Sequence, residues 1–264
     1  MYAVKKIILR IVIGLVVLLI AAVLVVGLFL DGIVKRGVET VGPKLTKVDI
    51  KLHKVGLSLF SGSGKIDGLV VGNPEGFKTP QAIIVGSPSL ALSPGSLLSD
   101  KIVIKYIKVE APEITLETGA GGSNLKRILA NLDETTGGGG NNASAAAKPK
   151  EAAPGKKLEV DDFLLTGAKL HLSLTGVGSA TVPLPEIHLT GLGKGDAGIT
   201  GAELTKRVLA AIEQAAAKTA ADSSGAIAKG AASAVKGLTG GTNNPVGDAA
   251  SKLGKGVGDL FKKP

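Results

Sequence analysis

The sequence predicts an α+β fold that is mainly antiparallel β, with an N-terminal single transmembrane helix, a β-sheet with one or two short covering helices, and a low-complexity helical or disordered tail. Three observations predict this class. Residues 11–30 form a run without a single charged side chain. Between residues 48 and 192, apolar and polar residues alternate with the two-residue period of half-buried strands. From residue 219 onward the chain is rich in Ala, Gly and Lys.

The segment 7–30, which contains this run, is predicted to be a membrane anchor. A helix as long as the uncharged run at residues 11–30 spans ~30 Å, about the thickness of a bilayer's hydrocarbon core. A cleaved signal peptide and a buried core helix are the alternatives. Lys5, Lys6 and Arg10 precede the run and favour a cytoplasmic position for residues 1–6. Because basic residues also follow the run, the orientation rests mainly on the short N-terminal tail, which is typical of anchors that export the domain behind them.

Composition excludes several classes of site. The 264-residue chain contains no Cys, so disulfides, thiolate metal sites and cysteine nucleophiles are impossible. Aromatic residues make up only 3%, so the core must be aliphatic and base stacking is poorly supported. The net charge of +9 is concentrated at the two ends of the chain. This distribution favours contact with anionic lipid surfaces, and nucleic acid is not an expected partner.

The first soluble segment, residues 31–136, carries most of the strand patterns. Short strands are predicted around residues 48–59, 66–71, 82–85 and 89–92, separated by Gly-, Ser- and Pro-containing turns. The strongest predicted strand, residues 101–109, is apolar on both faces, with Ile102, Ile104 and Tyr106 on one and Val103, Ile107 and Val109 on the other. Apolar residues at helical spacing within residues 125–132 then predict a short amphipathic helix across one face of the sheet.

Three further segments complete the predicted organisation. Residues 137–157 are rich in Gly, Ala, Lys and Pro and are predicted to be a flexible linker. Residues 158–218 resume the strand pattern and end in a helix, so we expect them to continue the same sheet. Residues 219–264 form a basic tail. Its candidate membrane or partner surface combines basic and apolar side chains at helical spacing: Lys252, Lys255, Leu260, Phe261, Lys262 and Lys263.

The order of motifs resembles the N-terminal module of AsmA-like envelope proteins. The features that carry the resemblance are the apolar run, the strand at residues 65–71, the loop Gly72–Phe77, the segment Ser87–Leu92, and the strong strand followed by Ala111-Pro112. The resemblance covers roughly residues 7–132 and, more weakly, residues 158–209. It implies a single-pass protein of the bacterial inner membrane, with the bulk of the chain in the periplasm and a curled, groove-like β-sheet. It also implies a role in outer-membrane biogenesis or lipid transport.

If the sheet is groove-like, its aliphatic side chains would face acyl chains. The driving force would be apolar burial, about 25 cal/mol per Å². We expect the function to be the handling of membrane lipid, with other envelope proteins or a second copy of the chain as further candidate partners. The candidate groove residues are Ile50, Leu52, Ile66, Leu69, Ile84, Leu90, Ile102, Ile104 and Tyr106. The alternatives are that these residues pack an ordinary core, or that the chain is a membrane-tethered interaction scaffold with a closed, stress-protein-like β-sandwich and a basic partner-binding tail.

No residue pattern predicts catalysis. The chain has three histidines, and two of them, His171 and His188, could lie on neighbouring strands near Asp161 or Asp162. Two histidines and a carboxylate can hold a metal ion, but exposed strand histidines are far commoner. Adjacent carboxylates on a strand point to opposite faces and do not converge. We therefore expect a protein that is not an enzyme and has no catalytic residues, cofactor or metal.

Overall fold

The computed structural model describes residues 31–58, 60–119, 121–136, 156–174 and 178–238. Within these ranges the chain forms three α-helices and one sheet of eleven strands. Helix α1 covers residues 31–46, α2 covers Asn124–Thr136 and α3 covers Gly201–Leu238. The strands are β1 (Ile50–Leu57), β2 (Ser63–Gly72), β3 (Gln81–Val85), β4 (Ser89–Leu92), β5 (Lys101–Glu110), β6 (Glu113–Gly119), β7 (Gly122–Ser123), β8 (Lys157–Thr166), β9 (Lys169–Leu174), β10 (Gly178–Pro183) and β11 (Ile187–Leu192).

Four pairs of consecutive strands are the two halves of longer, interrupted strands. Strands β3 and β4 both pair with β2, and β5 and β6 pair with β4 and β3 in one register from Ile83 to Ala91. In the same way, β8 pairs with β5 and β9 pairs with β6. On their other side, β8 pairs with β11 and β9 pairs with β10. The interruptions fall at neighbouring positions and form a crease across the sheet: residues 86–88, 111–112, 167–168 and 184–186.

Hydrogen bonds continue across the crease. The Ala111 N–H donates to the Thr166 carbonyl at 2.8 Å, and the Leu184 N–H donates to the Ala168 carbonyl at 2.9 Å. The backbone bends there because Ala111 and Gly167 have positive φ values of 47° and 64°. Pro112 also cannot donate to a ladder. The crease therefore divides the sheet into two halves without separating them.

Helices α2 and α3 pack against this sheet and complete the core. Helix α2 contacts β6, whereas α3 contacts β8 and β11, and the two helices contact each other. An ion pair of 2.5 Å joins Lys206 of α3 to Asp133 of α2. The largest fully buried side chains come from both halves of the sheet and from α2, and include Ile114, Leu116, Leu125, Ile128, Leu132, Val160, Leu170 and Leu172. As composition requires, the core is aliphatic apart from Phe163.

The predicted fold class is wrong in part. One covering helix is long, since α3 extends from Gly201 to Leu238. Most strand pairs are antiparallel, but β5–β8 and β6–β9 pair in parallel, and parallel strands need a long crossover connection. Within the described residues, no helix has both the length and the apolar character needed to cross a bilayer, and the predicted anchor at residues 7–30 lies outside them. The linker residues 137–155 also lie outside them.

Helix α1 covers the free edge of β1 with side-chain hydrogen bonds. The Leu57 N–H donates to Asp31 at 2.8 Å, and the Leu52 N–H donates to Glu39 at 2.9 Å. Lys35 donates to the carbonyl of His53 at 3.0 Å. These side chains occupy backbone groups that would otherwise be open to pairing with another strand. Because of this pairing, residue 31 lies beside the end of β1.

We expect Ala111→Gly to stabilise the protein modestly. A non-glycine residue in the left-handed region costs about 1–2 kcal/mol, whereas glycine loses about 0.5–1 kcal/mol through the entropy of the unfolded chain. The net gain should be about 0.5–1 kcal/mol, or roughly 2 °C in Tm. Differential scanning calorimetry measures this, with Ala91→Gly in β4 as the control that should lower Tm. A Tm equal to or below that of the unaltered protein would show that the crease stores no strain at Ala111.

Candidate functional site

Part of the sheet's apolar face extends beyond the core and remains partly exposed. Directly paired residues point to the same face of a sheet. Leu57 pairs with Gly64, Gly64 with Leu90, and Leu90 with the core-contacting Ile107. The same face therefore continues across four strands, and we call its partly exposed residues the apolar strip: Leu57, Ile66, Leu90, Leu92 and Ile102.

Gly64 lets the side chains of the apolar strip meet. A Cβ atom at this position would lie 2.7 Å from Leu57 Cδ2 and 2.8 Å from Leu90 Cδ1. The side chains of Leu57 and Leu90, on the two flanking strands, thus lie over Gly64. The absence of a side chain at Gly64 keeps the strip shallow and continuous rather than divided by a ridge.

An open pocket of about 460 Å³ lies on the opposite face of the same strands. Its lining residues Gly56, Lys65 and Ser89 are directly paired with one another, and they alternate along their strands with the strip residues Leu57 and Leu90. Because neighbouring residues of a strand point to opposite faces, the side chain of Lys65 points away from the apolar strip. The apolar strip is therefore bounded by aliphatic side chains without this lysine.

The nine predicted groove residues do not form one surface. Leu52 is buried, and Ile50, Leu69 and Ile104 pack against the hydrophobic core. Three belong to the apolar strip: Ile66, Leu90 and Ile102. The remaining two, Ile84 and Tyr106, lie on the opposite face of the sheet. Neighbouring residues of a strand point to opposite faces, and the neighbours Ile83 and Ile107 face the core.

The position of Tyr106 differs from its expected place beside Ile102 and Ile104. The pairing of β4 with β5 shifts at this point, so that Ala91 pairs with Tyr106 but Leu92 pairs with Ile104. Lys105 is therefore an extra residue in β5, and such a bulge moves the following side chains to the other face. The Lys108 ammonium lies 5.6 Å from the centre of the Tyr106 ring, as expected for neighbours on one face.

The remaining sequence candidates fall into two groups. The tail residues Lys252, Lys255, Leu260, Phe261, Lys262 and Lys263 lie outside the described residues. His171 and His188 lie apart in separate carboxylate pairs: His188 Nε2 is 2.5 Å from Asp162 Oδ1, and His171 Nε2 is 3.5 Å from Glu113 Oε2. Among the residues that the structure describes, no cluster of three or more His, Asp or Glu side chains could hold a metal ion.

A buried polar network that the sequence did not reveal holds the Asn-Pro loop against β6. Both oxygens of Glu117 accept hydrogen bonds, from Lys78 N–H at 2.7 Å and from Thr79 N–H at 2.8 Å. The Thr79 hydroxyl adds a third at 2.5 Å. Asn124, which is fully buried at the start of α2, donates to Asn73 at 2.7 Å and accepts from the Glu117 N–H at 3.0 Å. The network ties the loop, β6 and α2 together.

Glu117 is ionised in this network. Burial raises the pKa of its carboxyl, but the hydrogen bonds from Lys78 and Thr79 and the nearby Lys78 charge outweigh burial, so the pKa lies below its ordinary value. A glutamate within an alternating strand gives no sign in the sequence that it will be buried. The only available signal was the Asn-Pro turn chemistry, which marks the loop but not its partner.

Comparison with known families agrees with the resemblance read from the motifs. The family model described as the AsmA family matches residues 1–182, which is more than half of the chain. The match includes β1 to β9, the apolar strip and the loop held by Glu117. No curated protein and no solved structure matches the chain. The predicted resemblance is thus confirmed, and this chain belongs to the AsmA family of envelope-associated proteins.

Proposed function

We propose that this envelope protein binds membrane lipid without catalysing a reaction and so supports outer-membrane biogenesis. The observation that carries the proposal is the apolar strip, whose Leu and Ile side chains remain partly exposed on four adjacent strands. The acyl chains of a phospholipid need such an apolar surface. No cofactor is part of the proposal, and the chemistry required is binding and release.

Burial of acyl chains would supply the affinity. Each methylene group removed from water contributes about 0.8 kcal/mol. The strip offers partly exposed Leu and Ile side chains on four adjacent strands, so an acyl chain lying across it would contact several of them at once. The apolar strip lies in the half of the sheet, on one side of the crease, that contains β4 and β5.

We further propose that the bulk of the chain lies in the periplasm, at the inner membrane. Membership of the AsmA family supports an envelope location. Protease treatment of intact cells and of spheroplasts tests the proposal, with antibodies against the folded region as the readout. Degradation in spheroplasts but not in intact cells is expected. Protection in spheroplasts would contradict the periplasmic location.

We expect Ile102→Lys to abolish lipid binding, because it places a charge within the apolar strip. The matched control is Val103→Lys, which adds the same charge to the next residue of the same strand, on the opposite face. A phospholipid with a photoreactive acyl chain should crosslink to the unaltered protein and to the control variant, and crosslinking to Ile102→Lys should fall by at least tenfold. Circular dichroism shows whether both variants remain folded.

Two results would contradict the proposal. In one, Ile102→Lys and Val103→Lys crosslink equally well, so that the apolar strip is not the binding surface. In the other, the purified unaltered protein carries no lipid detectable by mass spectrometry and does not react with the photoreactive phospholipid. A folded Ile102→Lys protein is required for either comparison, and its partly exposed position makes folding the expected outcome.

One observation favours a second candidate function, the interaction scaffold. Helices α2 and α3 occupy much of the apolar face of the sheet, so the core resembles a closed structure over β6, β8 and β11. In that case the basic residues near the C-terminus would bind a partner. Deleting residues 239–264, which lie outside the described residues, should abolish recovery of partner proteins in a pull-down. Unchanged recovery would exclude the tail as the binding element.

A further inference from the structure

Two large apolar side chains project into solvent at one end of the sheet. Phe60 is 74% exposed in the turn between β1 and β2, and Leu98 is 95% exposed at the end of the short 3-10 helix Pro94–Leu98. We call the two segments, residues 60–62 and 94–98, the rim. Exposed apolar side chains that share one end of a fold are typical of a surface that meets a membrane or another protein.

Hydrogen bonds position the backbone of the rim. The Leu92 N–H donates to the Gly62 carbonyl at 2.7 Å, which joins residues 60–62 to the end of β4, just before the second segment. The Ser96 hydroxyl donates to the Ser93 carbonyl at 2.6 Å and accepts from the Val103 N–H at 2.9 Å. These bonds satisfy the polar groups of the turns internally, which lowers the cost of placing the rim in a poorly hydrated environment.

The sequence of the rim is free of charge. Residues 55–64 and 86–99 contain no Asp, Glu, Lys or Arg, although such residues make up 20% of the chain. Cationic groups lie just behind it. Lys156 donates from its ammonium to the Leu97 carbonyl, and Lys157 is exposed beside it. Uncharged, apolar-tipped turns with lysines behind them match the layering of a bilayer that contains anionic lipid.

The first described residue, Asp31, lies at the same end of the molecule. It accepts a hydrogen bond from the Leu57 N–H, three residues before Phe60. In sequence, residues 11–30 are uncharged and largely apolar. The apolar strip also reaches this end, since Leu92 adjoins Gly62 and Ile102 begins β5.

We propose that the rim docks on the surface of an anionic phospholipid bilayer, with Phe60 and Leu98 entering the boundary between headgroups and acyl chains. Docking places the open end of the apolar strip against the membrane. That placement matters for lipid entry only if the proposed lipid-binding function is correct, whereas the docking itself does not depend on it.

Because the chain has no Cys, single labels can be introduced cleanly. Gly95→Cys places a label in the rim at an exposed position where a Cβ atom has open space around it. Glu75→Cys places one at the opposite end of the sheet, in the exposed Asn-Pro loop. The full chain is reconstituted into vesicles of phosphatidylethanolamine and phosphatidylglycerol, and each site carries an environment-sensitive fluorophore. Quencher-bearing phospholipids should quench the label at residue 95 and blue-shift its emission, and should leave residue 75 unaffected.

A double variant tests the two apolar side chains. Phe60→Ser with Leu98→Ser should abolish quenching at residue 95 without lowering Tm, because both side chains are exposed. Val41→Ser is the matched control, since Val41 is also an exposed apolar residue, at 50%, but lies on α1 away from the rim. It should leave quenching unchanged.

Three outcomes would overturn the docking proposal: equal quenching at residues 95 and 75, a blue shift at residue 95 without lipid quenching, or full quenching in the double variant. The second of these would indicate that another protein surface covers the rim. Photoreactive phospholipid distinguishes this failure from failure of the proposed function. Crosslinking at the apolar strip with an unquenched rim contradicts docking alone, whereas a quenched rim without crosslinking contradicts lipid binding alone.

Discussion

Glu117→Ala is expected to lower the free energy of unfolding by about 3 kcal/mol, because it removes three charge-assisted hydrogen bonds from a buried site. The side chain is only 4% exposed, and its oxygens accept from both the Lys78 and Thr79 N–H groups. Without the carboxylate these groups lose their protein partner, and the Asn-Pro loop loses its attachment to β6. Urea unfolding monitored by circular dichroism measures the change.

The same carboxylate should make stability depend on pH. Its pKa in the folded protein lies below the ordinary value of 4.5 because hydrogen bonds from Lys78 and Thr79 outweigh burial. A group whose pKa is lower in the folded state contributes stability above its unfolded pKa and loses that contribution as pH falls through the folded pKa. Stability should therefore decline below about pH 4.5. Glu117→Gln should be less stable at neutral pH and should show a shallower decline in acid.

Glu110→Ala is the control for both measurements. Glu110 lies on the adjoining strand β5 and is exposed, so its replacement should change the free energy of unfolding by less than about 0.5 kcal/mol. Equal effects at Glu110 and Glu117 would contradict a specific role for the network. A pH profile unchanged by Glu117→Gln would show that other carboxyl groups cause the acid sensitivity.

Gly62→Ala is expected to lower the free energy of unfolding by about 3 kcal/mol, as the sum of backbone strain and overpacking. Gly62 has a φ of 68°, and a Cβ atom there would lie 2.2 Å from the Leu92 carbonyl oxygen. Backbone cannot yield as a flexible side chain can, so either the turn or the start of the 3-10 helix must move. Thermal unfolding measures the loss of stability. A label at residue 95 of the rim reports whether the 3-10 helix has moved.

Gly76→Ala separates strain from steric overlap. Gly76 also has a positive φ, 94°, but a Cβ atom would meet nothing within 4 Å. Its replacement should cost only about 1 kcal/mol, which is the backbone term alone. If the two alanine variants are equally stable, the overlap of a Cβ atom at residue 62 with the Leu92 carbonyl oxygen does not lower stability.

Much of the sheet could be predicted from the sequence because strands leave a local signal. The alternation around Ile50 and Leu52, the turn before β2 and the interruption at Ala111-Pro112 all depend on near neighbours in the chain. Helix α2 was also predictable, since Leu125, Ile128 and Leu132 recur at helical spacing. The start of α3 was predictable, but its end was not, because the Ala-rich residues after Lys218 continue the helix without a stop signal.

The candidate site depended on longer-range information. Whether Ile104 packs in the core while Ile102 and Leu90 remain partly exposed is decided by where α2 and α3 lie. The side chain of Tyr106 changes face because the pairing with β4 adds one residue in β5, and no local pattern marks that bulge. The parallel pairing of β5 with β8 brings together residues more than fifty positions apart.

The sequence alone determined the strand-rich class, the aliphatic core, the exclusion of cysteine chemistry and the family, because composition, two-residue alternation and motif order need no knowledge of contacts. Only the tertiary structure decided the crease, the filling of the sheet by α2 and α3, the burial of Glu117 and the shared end of Phe60 and Leu98. Each of these features depends on contacts between residues that are distant in the sequence. The free energies of packing and desolvation at those contacts, rather than local propensity, determine them.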